Sequence, residues 1–301
     1  MEGPKINPRN EHTPFLRASR ELYTDYIVPV AELPQSYRDE IDPGYTTGWS
    51  DLDRLLMGIR LGEVTVISAD TGSGKTTFAT QLLCNVAMQG VAVWINSWEM
   101  APSSIVRKMA SLVLRKNMKL ERFTVEDNSA FDAWCLRYSV FLNPVTIGLS
   151  LEQLAEQLKK AAELGIKVVL LDHLDYLVHS RREKHYEDVD ATVKALHEMA
   201  FLLKMHLILI CHPKQSATGQ EEIGIHSLKG SSSIKQYADN IIVLHRCSRT
   251  DSQAHSSKTK VRVVKNRALG SEGTTYLFYE AWDGYTQIKE IHARCSKEQQ
   301  D

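Results

Sequence analysis

A chain of 301 residues, 43% of them hydrophobic, has length for one large α/β domain or two small ones and enough apolar side chains for a packed core, so disorder is not the default. Lys+Arg number 36 against Asp+Glu 37, a net charge of −1, so a uniformly basic surface is excluded and any nucleic-acid interface has to be a local patch. The five cysteines are scattered without a Cys-x-x-Cys pair, no apolar run reaches the roughly 18 residues of a membrane span, and the N-terminus, carrying Glu2 and Glu11, has no signal-like apolar stretch, so a soluble intracellular protein with free thiols and no membrane partner is expected.

Residues 1–42 form a polar, proline-bearing tail or linker. Within it, Pro14 to Val28 spaces Phe15, Leu16, Leu22, Tyr23 and Tyr26 near helical intervals, which fits either a frayed tail or a helix that docks its apolar side outside this domain. From Gly44 onward strands and helices alternate. "EVTVISA" reads as a strand, Lys75 to about Gln89 as a helix stopped by Gly90, "VAVWINSW" as a strand, and Pro102 opens the next helix. Ser150 and Gln153 make a capping box for "SLEQLAEQLKKAAEL", which Gly165 ends. "KVVLLDHL" is a buried strand, Glu187 to Lys204 a helix, and "HLILICH" and "NIIVLHR" are further strands. Near-continuous Val/Ile/Leu strands between amphipathic helices imply a parallel sheet covered on both faces. "KTKVRVVKNR" and "TTYLFYEAW" then read as an antiparallel extension closed by a turn at Asp283-Gly284. The expected architecture is α/β: a mostly parallel, doubly wound sheet with antiparallel C-terminal strands, spanning 43–292, before a disordered tail at 293–301.

The strand "EVTVISA" runs into Ala69-Asp70-Thr71-Gly72-Ser73-Gly74-Lys75-Thr76-Thr77, which has P-loop spacing except that Ala69 stands where the first glycine is usual. The mechanism tolerates the change. Backbone N–H groups and the helix N-terminus wrap a β-phosphate, Lys75 reaches the β/γ oxygens, and the Thr76 hydroxyl takes Mg²⁺. Such a loop needs an acidic metal handle at the tip of a buried strand, and Asp172 of "VVLLDHLDYL" fits better than Asp175, which lies past the apolar run. Glu99 ends the strand after the P-loop helix and is placed to act as base on a water; its alternative reading is a carboxylate favoured by the Pro102 helix dipole. His212 emerges from a buried strand beside the same site, as a γ-phosphate sensor or simply as a capped core residue.

Together these stretches resemble one family, the hexameric replicative DNA helicases of the DnaB and Twinkle type, which share a RecA-like P-loop NTPase core. The resemblance runs from about Gly48 to Glu290, on "TGWSDLDRLLMGIRLGEVTVI", "TGSGKTTF", "WEM", "LLDHLDYL", "ICHPK", "LKGSSSIKQYADNIIVL" and "VVKNRALGSEGTTYLFYE", in that order, and the "TGSGKTTF" and "CHP" versions are similar to Twinkle and its phage relatives. It implies Lys75 and Thr76 as phosphate and Mg²⁺ ligands, Glu99 as catalytic base, Asp172 as the second metal handle and His212 as coupler of the γ-phosphate to a DNA loop. It also implies that Lys265 and Arg267 reach into a neighbouring subunit's site, Arg267 as an arginine finger, within a homo-oligomeric, six-fold ring. No primase-like region precedes the core, so primase activity is not expected of this chain.

The cofactors implied are Mg²⁺ and ATP, or another NTP or dNTP. The partners implied are single-stranded and forked DNA, with a separate primase, polymerase or single-strand-binding protein. DNA is expected along the ring axis, against Arg181, Arg182 and Lys184 of "HSRREKHYED", equally readable as a solvated charge run, and against Lys229, Gly230, Ser231, Ser232 and Lys235 of "SLKGSSSIK", a loop whose N–H, hydroxyl and ammonium groups suit phosphate oxygens without reading bases. Two rival readings share the P-loop chemistry: a RecA- or RadA-type recombinase, and a KaiC-like or annealing switch that uses nucleotide only to assemble.

Overall fold

The computed structural model of the chain describes residues 44–70, 72–117, 121–144, 149–177, 185–213, 231–247, 258–280 and 283–287. The expected tail helix, Thr71, Arg181, Arg182, Lys184, Lys229, Gly230 and the tail at 293–301 lie outside these residues.

The chain enters through helix α1 (Ser50–Leu56), strand β1 (Val64–Ala69), helix α2 (Lys75–Ala87) and strand β2 (Val93–Ser97). Helices α3 (Pro102–Leu114) and α4 (Val125–Arg137) follow, then the short strand β3 (Val140–Leu142) and helix α5 (Leu151–Glu163). Strand β4 (Val168–Asp172), a 3₁₀ turn (Leu174–Tyr176), helix α6 (His185–Leu203), strand β5 (His206–Cys211) and helix α7 (Ser231–Tyr237) lead to strands β6 (Asn240–Arg246), β7 (Lys258–Asn266), β8 (Gly273–Glu280) and β9 (Gly284–Gln287).

These strands form one nine-stranded sheet in the order β3-β2-β4-β5-β1-β6-β7-β8-β9. Pairing is parallel from β3 through β6 and antiparallel from β6 through β9, as the sequence pattern predicts. Parallel pairing puts helices on both faces, so successive residues of one strand feed different cores. Ile67, Ile95, Leu170, Ile210 and Ile242 join α1 to α4 on one face. Val66, Val169, Leu171, Leu209 and Ile241 join α5, α6 and α7 on the other. Both clusters are closed to water along the central strands, where every residue of β1, β4 and β5 is buried.

The capping box read from the sequence, at Ser150, holds, and α4 has a second one that was not read. The Ser150 hydroxyl accepts from Gln153 N while the Gln153 side chain accepts from Ser150 N, and the Thr124–Asp127 pair does the same for α4. Four helices and strands were not expected: α1, α4, β3, and β9, which begins at Gly284 and pairs antiparallel with β8. One expectation is corrected. Ser231, Ser232 and Lys235 do not lie in a loop but in helix α7, because Ile234 and, just past its end, Ala238 bury completely in the second core and hold the turn helical.

Candidate nucleotide-binding and hydrolysis site

All the polar groups singled out around the P-loop leave the carboxyl ends of adjacent parallel strands, where open α/β sheets gather their ligands. β1 ends at Ala69. This residue is fully buried in the first core and pairs with Leu244, and it is not among the positive-φ positions, so its methyl group is core packing and no glycine is needed there. Glycine is needed further on. Gly72 and Gly74 adopt φ 77° and 90°, the left-handed region that disfavours side chains, and a Cβ on Gly74 would strike the Tyr285 hydroxyl.

Gly74 stands as the N-cap of α2. The ammonium of Lys75 folds back into the loop, donating to Ala69 O at 2.8 Å and Asp70 O at 3.3 Å. Burial pulls its pKa below the usual lysine range, opposed by the charges of Glu99, Asp172 and Asp70. The carbonyls it holds are a provisional partner that a phosphate can replace.

Asp172, at the tip of β4, has no solvent exposure. Its Oδ2 accepts from the Thr76 hydroxyl at 3.1 Å and from the Ser97 hydroxyl at 3.0 Å, while Oδ1 is buried without a hydrogen-bond partner. Burial pushes this carboxyl up to about 6, although the Ser97 and Thr76 hydrogen bonds pull it down. A buried carboxylate oxygen without a donor, beside a threonine hydroxyl, is the donor set a hard divalent cation requires, so the residues present fit Mg²⁺. Asp175, the competing carboxylate, sits on the 3₁₀ turn and faces His173 instead, 3.8 Å from Nδ1.

Glu99 follows β2 by two residues and is 44% exposed. Its Oε2 lies 3.7 Å from His173 Nε2 and 4.0 Å from His212 Nε2. The two imidazoles meet edge to face with centroids 4.4 Å apart. Burial, and next the neighbouring His212, hold His173 below the usual histidine range. Thr77 turns away from the loop: its hydroxyl accepts from Lys108 Nζ at 2.9 Å, so of the two adjacent threonines only Thr76 faces Asp172.

Three residues of this site were not read from the sequence. Ser97 is signalled by a hydroxyl at a strand end two positions before Glu99, and His173 by adjacency to Asp172. Tyr285, which packs over Gly74, has no local signal, because β9 reaches α2 only through tertiary pairing; there Gln81 Nε2 donates to Tyr285 O at 2.9 Å and Tyr285 N donates to Gln81 Oε1 at 2.6 Å.

Lys265 and Arg267 are elsewhere. The Lys265 ammonium donates to Lys235 O and, at 2.6 Å, to Ala238 O at the end of α7. The Arg267 guanidinium donates to Gln236 O and pairs with Asp239 Oδ1 at 2.9 Å. Asp239 in turn bonds Val64 through both backbone and side chain. Arg267 therefore belongs to the end of the sheet where β1 begins, a five-residue strand advance of roughly 17 Å from Ala69 and the loop.

Residues 44–289 match the family model described as the DnaB-like helicase C-terminal domain. The chain belongs to this family. Among its relatives, a probable plasmid replicative DNA helicase of Chlamydia psittaci is 26% identical over 262 residues, covering 84% of this chain and 57% of the relative. A Twinkle homolog, chloroplastic/mitochondrial, of Arabidopsis thaliana is 26% identical over 265 residues, covering 80% of this chain and 36% of the relative. The chain thus spans about half or less of the curated relatives it matches. The solved structure of a DnaB-like replicative helicase, determined with its interactions with primase, superposes with TM-score 0.74 at 19% identity, over 92% of this chain and 72% of that one. This similarity shows the shared fold: a mostly parallel α/β sheet with antiparallel C-terminal strands, the architecture expected from the sequence.

Proposed function

We propose that this DnaB-like chain is an NTP-driven DNA helicase that assembles as a six-fold ring, moves on single-stranded DNA in the 5′–3′ direction and separates duplex during replication. The observation that carries the reading is the cradle in which Lys75, Thr76 and the buried Asp172, with one oxygen left open, converge at the mouth of β1 and β4.

Within it, the loop N–H groups between Gly72 and Lys75 wrap the β-phosphate and Lys75 exchanges its carbonyl partners for β/γ oxygens. Thr76 and Asp172 would hold Mg²⁺, which when bound neutralises charge on the β- and γ-phosphates. Glu99 accepts the proton of the attacking water, and His212 senses the γ-phosphate from the adjoining strand end. Arg267 is proposed to serve a neighbour's site, since a guanidinium at the γ-phosphate stabilises transition-state charge and Arg267 lies at the far end of its own sheet.

Arg181, Arg182, Lys184, Lys229 and Gly230, together with Ser231, Ser232 and Lys235 at the start of α7, are proposed to face DNA phosphates along the ring axis. ATP or another NTP or dNTP is the fuel. A primase is a natural partner in trans, as it is for the structural relative, and the bacterial and organellar relatives favour an intracellular setting, bacterial cytoplasm first.

The test is NTP hydrolysis with and without single-stranded DNA, run beside light scattering on a sizing column. Stimulated turnover by a ring-sized species is expected. DNA-independent turnover by a monomer would overturn the reading.

A further inference from the structure

We propose that Glu99, His173 and His212 form a second metal site, selective for a borderline divalent ion such as Zn²⁺, and that filling it switches hydrolysis off. The binding half stands on geometry alone; the inhibitory half rests on the role assigned above to Glu99.

One ligand atom from each residue lies within 4.8 Å of the others. Tetrahedral Zn²⁺, with bonds of about 2.0–2.2 Å, needs its ligand atoms roughly 3.4 Å apart. Glu99 Oε2 and His173 Nε2 are already at 3.7 Å, and Glu99 Oε2 and His212 Nε2 are at 4.0 Å. Both of these distances can close by movement of the glutamate, whose side chain is 44% exposed.

A second observation comes from behind the cluster. Metal-bound histidines characteristically offer their other ring nitrogen to a carboxylate, which fixes the ring and raises its basicity. His173 is 8% exposed and its Nδ1 is buried without a hydrogen-bond partner, 3.8 Å from Asp175 Oδ2 on the 3₁₀ turn. Nε2 is thereby turned toward Glu99. Two imidazoles and one carboxylate with an open fourth position suit Zn²⁺ and its neighbours and not Mg²⁺, which prefers oxygen alone. The cluster is therefore chemically distinct from the Thr76–Asp172 pair one strand tip away. An ion there occupies the carboxylate lone pair that would otherwise accept a proton from water.

The test uses the full chain, stripped with chelator and dialysed against Zn²⁺ in millimolar Mg²⁺ without nucleotide. Co²⁺ replaces Zn²⁺ in a parallel sample read by its visible absorption. One bound equivalent per chain is expected, with Glu99→Gln, His173→Gln and His212→Gln each weakening it by tenfold or more, and Asp175→Asn by about tenfold. Thermal melts confirm folding, and Glu99→Gln, at a half-exposed position, keeps the test decisive if a histidine variant fails to fold. Less than one equivalent, or unchanged affinity in Glu99→Gln, overturns the site. Zn²⁺ added to the DNA-stimulated reaction should stop hydrolysis, and chelator should restore it. Stoichiometric binding with unimpaired turnover would leave the site standing and overturn the base role of Glu99.

Discussion

Asp172→Asn tests whether the cradle is built around a carboxylate held out of water for a cation. In the metal-free protein, burial raises this carboxyl from 3.8 to about 6. A folded-state pKa above the unfolded value means that the native state binds the proton more tightly, so the contribution to stability is complete below pH 4 and lost as pH rises through 6. The full shift corresponds to about 3 kcal/mol, undiscounted because the side chain has no exposure. Less than half of it, about 1 kcal/mol, is still to be lost above pH 5. Asparagine preserves an acceptor for Thr76 and Ser97 but cannot titrate, and its own unpaired amide is a constant cost that cancels between two pH values. Urea unfolding of both proteins in chelator at pH 5 and pH 7.5 should show the difference between them shifting by about 1 kcal/mol toward the variant at the higher pH. Millimolar Mg²⁺ at pH 7.5 should then stabilise the wild type and leave the variant unmoved. An identical difference at both pH values, with no selective Mg²⁺ effect, would refute the argument.

Lys75→Ala should abolish NTP hydrolysis without lowering the melting temperature, whereas Glu99→Gln should retain nucleotide binding and lose turnover; near-wild-type hydrolysis by Glu99→Gln would remove it as the base. Gly74→Ala, at φ 90° and against the Tyr285 hydroxyl, should cost more than about 1 kcal/mol in urea unfolding and weaken binding of a fluorescent nucleotide. Adding Tyr285→Phe should relieve the collision but not the backbone strain, so full rescue would contradict the geometry. Arg267→Ala should bind nucleotide and hydrolyse it poorly, and mixing it with Lys75→Ala should restore part of the activity, since some interfaces then pair an intact loop with an intact arginine; no recovery in verified mixed assemblies would argue against a shared site.

The parts of the fold legible in the sequence are those where local pattern and tertiary role agree. Strands β1, β4 and β5 are buried on both faces, so their uninterrupted Val/Ile/Leu runs end abruptly at the polar residues of the candidate site, and Asp172 stands out for that reason. Helix α4 has a capping box but few buried side chains, Asp127 and Phe131 alone, so its apolar periodicity is faint. Strand β3 is three half-exposed or exposed residues at the sheet edge, and β9 is four residues fixed by Gln81 of a helix more than two hundred positions earlier. Neither length nor alternation announces such strands. The serines of α7 favour turns by hydrogen-bonding their own backbone, and only the burial of Ile234 and Ala238 overrides that preference. Of the histidine pair only His212 was legible, and the cluster was not, because His173 and His212 meet only when β4 and β5 lie side by side.

Strand direction bears on the proposed sharing of the site between subunits. β1, β2, β4 and β5 run the same way, so Ala69, Glu99, Asp172 and His212 all emerge at one end of the sheet. β7 runs antiparallel to β6, which is itself parallel to β1, so a side chain just past the end of β7 is delivered to the opposite end, where Arg267 N donates to Asp239 O and Asp239 N to Val64 O. No rotamer of an arginine spans a strand length. An arginine carried on the C-terminal end of β7 thus has no route to the loop of its own domain, and the Asp239 pairing keeps its guanidinium, 44% exposed, at the domain boundary. If Arg267 contributes to hydrolysis at all, the topology requires a second copy to receive it, and turnover then becomes a property of assembled chains.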